Sequence, residues 1–270
     1  MSSNTLNSRK VIRMTDVKML RLIVPTMLGV AVALPCFADP INARPVSFGT
    51  SWDPYPSSLQ DFFDGLIPGT YSTDNGIDAY LDQYPVAIYS PADALIPAAA
   101  IMLELAGYKD ENTFGIYEYG NHANRLLLFT GPNSSASGTV TVEFDAGTGT
   151  VTSYASGHVE VDSKTFSTFQ FGFWLSTPEK NTFYSEDSLN NGYAQAVIYE
   201  GPAAWNMEGE FIIAFEDLAL PGGDSDYNDL VVRASNIQPA PVPEGSTLLL
   251  FGSGLCGLLF VMRKKRLVKL

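Results

Sequence analysis

The charges of this chain are distributed in a way that restricts how it can fold. Its 270 residues contain 16 Lys and Arg and 29 Asp and Glu, a formal net charge of −13. Residues 1–38 and 244–270 together hold ten of the basic residues and two acids, which leaves 6 basic and 27 acidic residues, a net charge of −21, in residues 39–243. The chain is therefore an acidic body between two basic, apolar ends. Such a body repels phosphate backbones, which excludes nucleic-acid binding and favours multivalent cations as partners.

The first 38 residues have the order of parts that is typical of a secretory signal peptide. Lys18 and Arg21 precede an apolar stretch, Leu22–Leu34, and the small residue Ala38 closes the segment. The apolar stretch has about 13 residues, fewer than the roughly 20 that a membrane-spanning helix needs. We expect export through the inner membrane with cleavage after Ala38. The alternative is a signal that stays in the membrane as an anchor.

The other end combines a stiff spacer, an apolar segment and a basic cluster. A proline-rich spacer covers residues 238–246, and such segments are extended. Residues 247–262 are apolar and as a helix would span roughly 24 Å, slightly less than the usual hydrocarbon core. Residues 263–270 are basic, and the positive-inside rule predicts that they are cytoplasmic, with the acidic body outside. These features alone predict a transmembrane helix, which could be an ordinary tail anchor.

The spacer also contains a short motif, Val242-Pro243-Glu244 followed by Ser246-Thr247, and the apolar segment contains Gly252-Ser253-Gly254. With the basic cluster, this tail resembles the PEP-CTERM sorting signal of Gram-negative bacteria, with Gly245 in place of the second proline. The resemblance implies recognition by an exosortase, cleavage near Pro243, and transfer to an anchor at the cell surface or in the biofilm matrix. The recognised site would be Pro243, Glu244, Gly245, Ser246 and Thr247.

Both cysteines lie in segments that this processing would remove. Cys36 is within the signal peptide and Cys256 is within the apolar tail. The processed body would then be stable outside the cell without disulfides, in a compartment that permits them. About 200 residues are enough to bury a core, and a bound metal ion would add to its stability.

The body has the pattern of an all-β domain. We divide it into an N-terminal part, residues 39–100, and an acidic domain, residues 101–237. Short alternating segments predict strands over 139–144, 159–161, 168–173, 194–199, 211–215 and 230–232. This spacing favours a jelly-roll-like antiparallel β-sandwich. A minor helix is predicted over Leu59–Phe63 with Ser57 or Ser58 as its cap, and residues 92–105 are predicted to be either helix or buried strand.

Two stretches near the end of the body are distinctive: Phe215-Glu216-Asp217-Leu218, and Asp226-Tyr227-Asn228-Asp229-Leu230-Val231. Phe173-Trp174-Leu175 and Phe114-Gly115-Ile116-Tyr117 are looser matches to the same pattern. In these stretches, residues 100–235 resemble a family of secreted bacterial domains of unknown function that often precede PEP-CTERM tails. The resemblance implies an all-β fold and an extracellular context, without an established catalytic activity.

The segment 224–229, Asp-Ser-Asp-Tyr-Asn-Asp, carries oxygen-bearing side chains at alternate positions. In a turn such side chains can point to one centre, and Ca²⁺ needs six to eight oxygen ligands. The spacing matches the first half of an EF-hand loop, but Asp229 stands where that loop has Gly and Ser235 where it has Glu, which excludes an EF-hand.

We predict instead a different oxygen cage for Ca²⁺, with Asp187 or Asn190 as more distant candidates. Clustered acids without a cation would repel one another, and only Arg233 is near in sequence to offset them. The alternative is a plain hairpin turn, because Gly and Asx residues form turns without metal. The predicted ligands are Glu216, Asp217, Asp224, Asp226, Asn228 and Asp229.

Signals of catalysis are weak. His122 and His158 are the only histidines, and the processed body would have no thiol. The sequence contains no G-x-S-x-G, P-loop or H-E-x-x-H motif. We therefore expect a non-enzymatic surface or matrix protein; the alternatives are a carbohydrate-binding module or adhesin that holds exopolysaccharide, and a polysaccharide hydrolase. Four aromatic residues could stack on sugars, although such residues more often belong to a core: Trp52, Trp174, Tyr184 and Trp205.

Overall fold

The computed structural model of the chain describes residues 44–50, 52, 58–66, 76–92, 97–104, 108, 111–130, 139–203, 207 and 209–240. The predicted signal peptide with Ala38, the sorting motif 243–247, the apolar tail 247–262 and Trp205 lie outside these residues. None of the helices in the described ranges is both long enough and apolar enough to cross a membrane.

The described residues form one α-helix and thirteen strands in two sheets. The helix, α1, spans Leu59–Leu66. The first sheet contains β1 (Tyr89–Pro91), β3 (Thr113–Glu118), β4 (Asn121–Thr130), β8 (Phe171–Ser176), β9 (Thr182–Tyr184) and β13 (Ile237–Pro239). The second sheet contains β2 (Ala98–Glu104), β5 (Val140–Asp145), β6 (Thr150–Ala155), β7 (Val159–Thr165), β10 (Ala196–Glu200), β11 (Phe211–Phe215) and β12 (Leu230–Ser235).

Both sheets are antiparallel. The order in the first is β13, β1, β8, β3, β4, with β9 also paired to β8; the order in the second is β10, β11, β12, β2, β5, β6, β7. In the second sheet, β11 and β12 form a hairpin in which Phe215 pairs with Leu230. This hairpin encloses residues 216–229, which we call the acidic loop.

The two sheets share one apolar core. Phe114 of β3 stacks on Phe173 of β8 in the same sheet, and its edge meets Phe215 of β11 in the other sheet, with ring centroids 6.0 Å apart in both pairs. Aromatic pairs at such distances contribute about 0.5–1.5 kcal/mol beyond the burial of their surface. The core therefore fixes the end of β11, where the acidic loop begins.

The hairpin strands of the second sheet are apolar on both faces. In β11, Ile213 faces the shared core and Ile212 faces a second apolar cluster on the other side of the sheet. The same alternation holds for Val232 and Val231 in β12. Because successive strand side chains point to opposite faces, the continuous apolar runs of these strands reflect burial on both sides.

Helix α1 packs on the same face of the second sheet as Ile212 and Val231. Its buried residue Phe63 packs edge-on against Tyr199 of β10, with ring centroids 5.1 Å apart. The helix begins as predicted, because the Ser58 hydroxyl accepts a hydrogen bond from the N–H of Asp61 (3.1 Å), which is an N-cap.

The predicted all-β class is confirmed, with two antiparallel sheets and one α-helix among the described residues. The six predicted strands correspond to β5, β7, β8, β10, β11 and β12, and the ambiguous stretch 92–105 contains β2. Strands such as β4, which begins with Asn121 and His122, were missed. Their strand conformation follows from pairing with neighbours and not from an alternation of apolar residues.

Candidate metal centre

The acidic loop leaves the second sheet after β11 and returns to it at β12. Because Phe215 pairs with Leu230, the acids just beyond this pair lie opposite each other at the end of the ladder. The N–H of Asp217 donates to Oδ2 of Asp229 (2.8 Å), and the N–H of Glu216 donates to the carbonyl of Gln195 on the neighbouring chain segment (3.0 Å). The register of the hairpin thus brings together acids from both ends of the loop.

The middle of the loop folds back onto Glu216. Ser225 and Tyr227 have φ angles of 59° and 57°, in the left-handed region that residues other than glycine rarely adopt. The buried Tyr227 donates its hydroxyl proton to the carbonyl of Ala194 (2.7 Å) and so fixes this turn. Gly223 lies directly against Glu216, since a Cβ at position 223 would be 2.6 Å from Glu216 Oε1. The alternate left-handed residues give the loop its tight curvature.

Two overlapping groups of carboxylates result. Glu216 with Asp224 and Asp226 forms an outer group, and Glu216 with Asp217 and Asp229 forms an inner group. Within each group, one oxygen from every residue lies within 4.8 Å of the others. Oxygens bound to one Ca²⁺ at about 2.3–2.6 Å are at most about 5 Å apart. Each group therefore has dimensions that suit a single cation.

Five of the six predicted ligands belong to these groups, and the sixth, Asn228, is adjacent to them. Asn228 is completely buried, and its N–H donates to Oδ1 of Asp226 (3.2 Å). Both groups consist of carboxylates alone. Among the described residues, His122 instead packs against Tyr184 and His158 stacks on Tyr154.

Burial makes the mutual repulsion of these carboxylates strong. Glu216 is 0% exposed, and Asp217, Asp226 and Asp229 are 1–3% exposed. Burial, followed by repulsion from Asp224, raises the pKa of Glu216 to about 8. Burial, followed by repulsion from Asp217 and Glu216, raises the pKa of Asp229 to about 10. In water these carboxyl groups would be ionised at neutral pH, so a cation would stabilise the charged form that the folded protein disfavours.

One oxygen of Glu216 has no hydrogen-bond donor. Oε1 accepts the N–H of Leu218 (3.2 Å), whereas Oε2 is buried and receives no hydrogen bond from the described part of the chain. Buried carboxylate oxygens are normally satisfied by donors or by cations. Because Glu216 belongs to both acidic groups, its unsatisfied oxygen marks this residue as a metal ligand.

Two arginines that could offset the acids are engaged with other residues. Arg233 of β12 forms an ion pair with Glu210. Arg44 donates to both carboxylate oxygens of Asp187 (3.0 and 3.1 Å), and Asn190 binds the backbone of the preceding turn (2.7–3.2 Å). The side chains of Asp187 and Asn190, the more distant ligand candidates, are thus engaged with other residues, and Asp187 belongs to neither carboxylate group.

The chain segment before α1 also reaches the acidic loop. The N–H of Gly49 donates to the carbonyl of Ser225 (3.0 Å), and the N–H of Trp52 donates to Oδ2 of Asp224 (2.8 Å). Trp52 is 69% exposed beside the loop, in contrast to the core position expected of it, whereas Trp174 is buried as expected.

Asn112 is a site residue that sequence reasoning missed. It precedes β3, is 3% exposed, and donates its Nδ2 hydrogen to Oδ2 of Asp217 (3.0 Å). Its Oδ1 is buried and accepts no hydrogen bond from the described residues. The two residues are separated by 105 positions, and no motif connects them.

Comparison with protein families bears on the same loop. Residues 148–236 match a domain of unknown function, DUF4114. The expected resemblance to a domain of unknown function is confirmed for this region. The DUF4114 region runs from β6 to β12 and contains the whole acidic loop, whereas Asn112, Trp52 and the predicted sorting tail lie outside it. No curated protein and no solved structure matches the chain.

Proposed function

We propose that this chain is an exported, exosortase-sorted protein of a Gram-negative cell surface or biofilm matrix, with a jelly-roll-like β-sandwich body that Ca²⁺ stabilises. The observation that carries the Ca²⁺ part is the set of five carboxylates in the acidic loop, four of them buried, in which Glu216 Oε2 lacks a hydrogen bond from the described residues. Binding a cation to such acids couples metal affinity to folding.

The ligand set favours Ca²⁺ over softer metals. Both groups offer carboxylate oxygens, which suit hard cations, whereas zinc and copper sites generally use thiolate or imidazole ligands. Ca²⁺ also tolerates irregular geometry better than Mg²⁺, which requires a near-ideal octahedron. Extracellular Ca²⁺ modules work with dissociation constants of about 10⁻⁴–10⁻³ M, and the proposed location outside the cell fits that range.

The test is the melting temperature of the purified full-length protein in Ca²⁺ and in chelator. At a concentration about 100 times the Kd, one bound ion adds about 2.7 kcal/mol, or roughly 5–11 °C for a body of this size. Asp226→Asn should reduce this increase, because it removes one carboxylate from the outer group. Asp145→Asn is the matched control, because Asp145 ends β5 away from the acidic loop in sequence and accepts hydrogen bonds from Gly147 and Thr148. Equal melting temperatures in Ca²⁺ and chelator would contradict the Ca²⁺ proposal.

The sorting part is supported by the terminal segments of the sequence. Removal of residues 243–270 should release the protein into the medium, because both the motif Pro243–Thr247 and the apolar segment are lost. A milder variant, Glu244→Ala, keeps the apolar segment and should leave an unprocessed, membrane-bound protein. Envelope association of the truncated protein, or a mass of Glu244→Ala equal to that of the processed wild type, would contradict exosortase processing. An N-terminus other than residue 39 would contradict cleavage after Ala38.

A structural role fits the acidic loop better than a catalytic one. Glu216 is 0% exposed and Asp226 is 2% exposed, so a polymeric substrate cannot reach them. A carboxylate that acts as a general acid or nucleophile must come within hydrogen-bond reach of the substrate. We therefore propose a non-enzymatic protein.

The second candidate function is Ca²⁺-dependent binding of exopolysaccharide. Trp52 favours it, because its backbone N–H donates to Asp224 of the proposed metal site while its indole ring is exposed. Aromatic rings offer large, rigid contact areas for binding. A glycan array probed with the full-length protein in Ca²⁺ and in chelator tests this function, with Trp52→Ala as the variant. Binding that needs both Ca²⁺ and Trp52 would support it, and an array without any signal would leave only the structural role.

A further inference from the structure

The two carboxylate groups of the acidic loop meet in one residue. Glu216 belongs to both, with Asp224 and Asp226 in the outer group and Asp217 and Asp229 in the inner group. A carboxylate has two oxygens, and bridging ligands commonly hold two metal ions roughly 4 Å apart. The shared residue therefore suggests a paired site.

We infer that the acidic loop binds two divalent cations bridged by Glu216. The inner cation is held by Glu216, Asp217 and Asp229, and the outer cation by Glu216, Asp224 and Asp226. This inference rests on the proposed Ca²⁺ function, and it specifies how many ions the loop takes and how they are arranged.

Charge balance favours two ions over one. The loop brings five carboxylates together, so a single dication leaves a net charge of −3 and two dications leave −1. Uncompensated charges in a buried site destabilise the folded protein strongly. The second cation therefore removes most of the repulsion that remains after the first has bound.

Asn112 provides an observation independent of the acidic residues. Its carboxamide lies against Asp217, and its buried Oδ1 lacks a hydrogen-bond donor among the described residues. Rotation of the amide by half a turn exchanges its oxygen and nitrogen, which would place the oxygen beside Asp217. In that orientation Asn112 is a neutral ligand of the inner cation.

The two positions differ in their access to solvent. Asp224 of the outer group is only partly buried, whereas Asp217 and Asp229 of the inner group are 1% and 3% exposed. Less buried ligands exchange more readily with water, so we expect the outer cation to be lost first as Ca²⁺ is lowered. The inner cation, with Asn112 as an additional ligand, should remain bound at lower concentrations.

The test is the number of Ca²⁺ ions bound to the full-length protein, counted by native mass spectrometry during a Ca²⁺ titration. The wild type should bind two ions in two steps. Asp224→Asn should lose the weaker step and Asp217→Asn the tighter one, each retaining one ion, while the control Asp145→Asn keeps both. Asn112→Ala should weaken the tighter step at least tenfold without changing the other.

The number of Ca²⁺ ions bound to the wild type is the first test of the paired site, and it does not depend on whether a variant folds. A single bound ion that both Asp224→Asn and Asp217→Asn abolish would overturn the paired site and leave the Ca²⁺ function intact. If no ion binds and Ca²⁺ leaves the melting temperature unchanged, both the paired site and the proposed function are wrong.

Discussion

Two glutamates at opposite ends of the molecule's sheets are buried to nearly the same degree. Glu118 ends β3 in the first sheet and is 2% exposed, and Glu216 follows β11 in the second sheet and is 0% exposed. Burial acts to raise the pKa of Glu118, but hydrogen bonds from Ser167, Asn124 and Thr168 outweigh it and lower the pKa below its usual value. Around Glu216, burial and neighbouring acids raise the pKa to about 8.

The comparison shows that burial of a carboxylate does not by itself indicate a metal site. Glu118 is supplied with donors, including the N–H of Ser167 (2.5 Å) and Nδ2 of Asn124 (2.8 Å). Asp187 is supplied with a cation from the chain, Arg44. The acidic loop differs from both because its acids are surrounded mainly by other acids. An external cation is the remaining way to stabilise them in the charged form.

The pH dependence of stability gives the largest expected difference between the two regions. Without Ca²⁺, Glu216 and Asp229 favour the protonated form in the folded protein, with pKa values of about 8 and about 10. Because these values are raised, the stability that the protonated groups contribute is complete below about pH 4 and is lost as the pH rises through the folded values. The free energy of unfolding should therefore fall between pH 5 and 8, by at most about 1.4 kcal/mol per pH unit for each group.

Saturating Ca²⁺ should remove this slope, because bound carboxylates are deprotonated throughout that range. Urea unfolding at pH 5, 6, 7 and 8, with Ca²⁺ and with chelator, measures the difference. If the stability of the Ca²⁺-free protein rose toward pH 8, the acids of the loop would not be repelling one another as proposed.

Replacement of Arg44, which neutralises Asp187, should be the most costly single substitution. Arg44→Leu leaves Asp187, which is 1% exposed, without its bidentate partner. Removing one member of a buried ion pair costs about 3–5 kcal/mol. The loss should be the same in Ca²⁺ and in chelator, since this pair is separate from the carboxylate groups. If Ca²⁺ rescued Arg44→Leu, then Asp187 would share the metal site after all.

The same conservative change in the two glutamates should act in opposite directions. Glu118→Gln replaces an acceptor oxygen with an amide that faces donors, and hydrogen bonds to a charged group are worth about 1.5–3 kcal/mol, so we expect a loss of about 3 kcal/mol with or without Ca²⁺. Glu216→Gln replaces a carboxyl group that folding forces into its protonated form at neutral pH, and should stabilise the Ca²⁺-free protein by about 1 kcal/mol. It should also abolish most of the stabilisation by Ca²⁺.

Urea unfolding of both variants in chelator and in Ca²⁺ provides the four values needed. Destabilisation of Glu216→Gln in chelator comparable to that of Glu118→Gln would mean that Glu216 is satisfied by the protein itself.

The parts of the site that sequence reasoning found are those encoded locally. The alternation of Asp224, Asp226 and Asn228 is visible within six residues, and Glu216 and Asp217 are conspicuous because they follow an apolar strand directly. Asn112, and the position of Trp52 beside the loop, escaped it because these residues reach the loop through contacts 105 and 172 positions apart. Such contacts depend on how the sheets assemble, and no local pattern carries that information.

In the fold, too, the features encoded locally were predicted and those that depend on long-range contacts were not. Strands β11 and β12 were predicted because their segments are short and rich in β-branched and aromatic residues. The stretch containing β2 remained ambiguous, since Ala-rich segments have a high helix propensity. Pairing with β12 and β5 places it in the second sheet, so the tertiary environment overrides the local preference.

The smallest effect is expected where an acid is already satisfied and partly exposed. Asp162 of β7 accepts the N–H of Leu127 (3.0 Å) and pairs with Lys164 (2.9 Å), whose side chain is 40% exposed. Exposed ion pairs contribute about 0–1 kcal/mol, so Lys164→Gln should change the free energy of unfolding by less than about 0.5 kcal/mol, in Ca²⁺ and in chelator alike. A loss above about 2 kcal/mol would show that backbone donors do not suffice for Asp162, and would weaken the same explanation for Glu118.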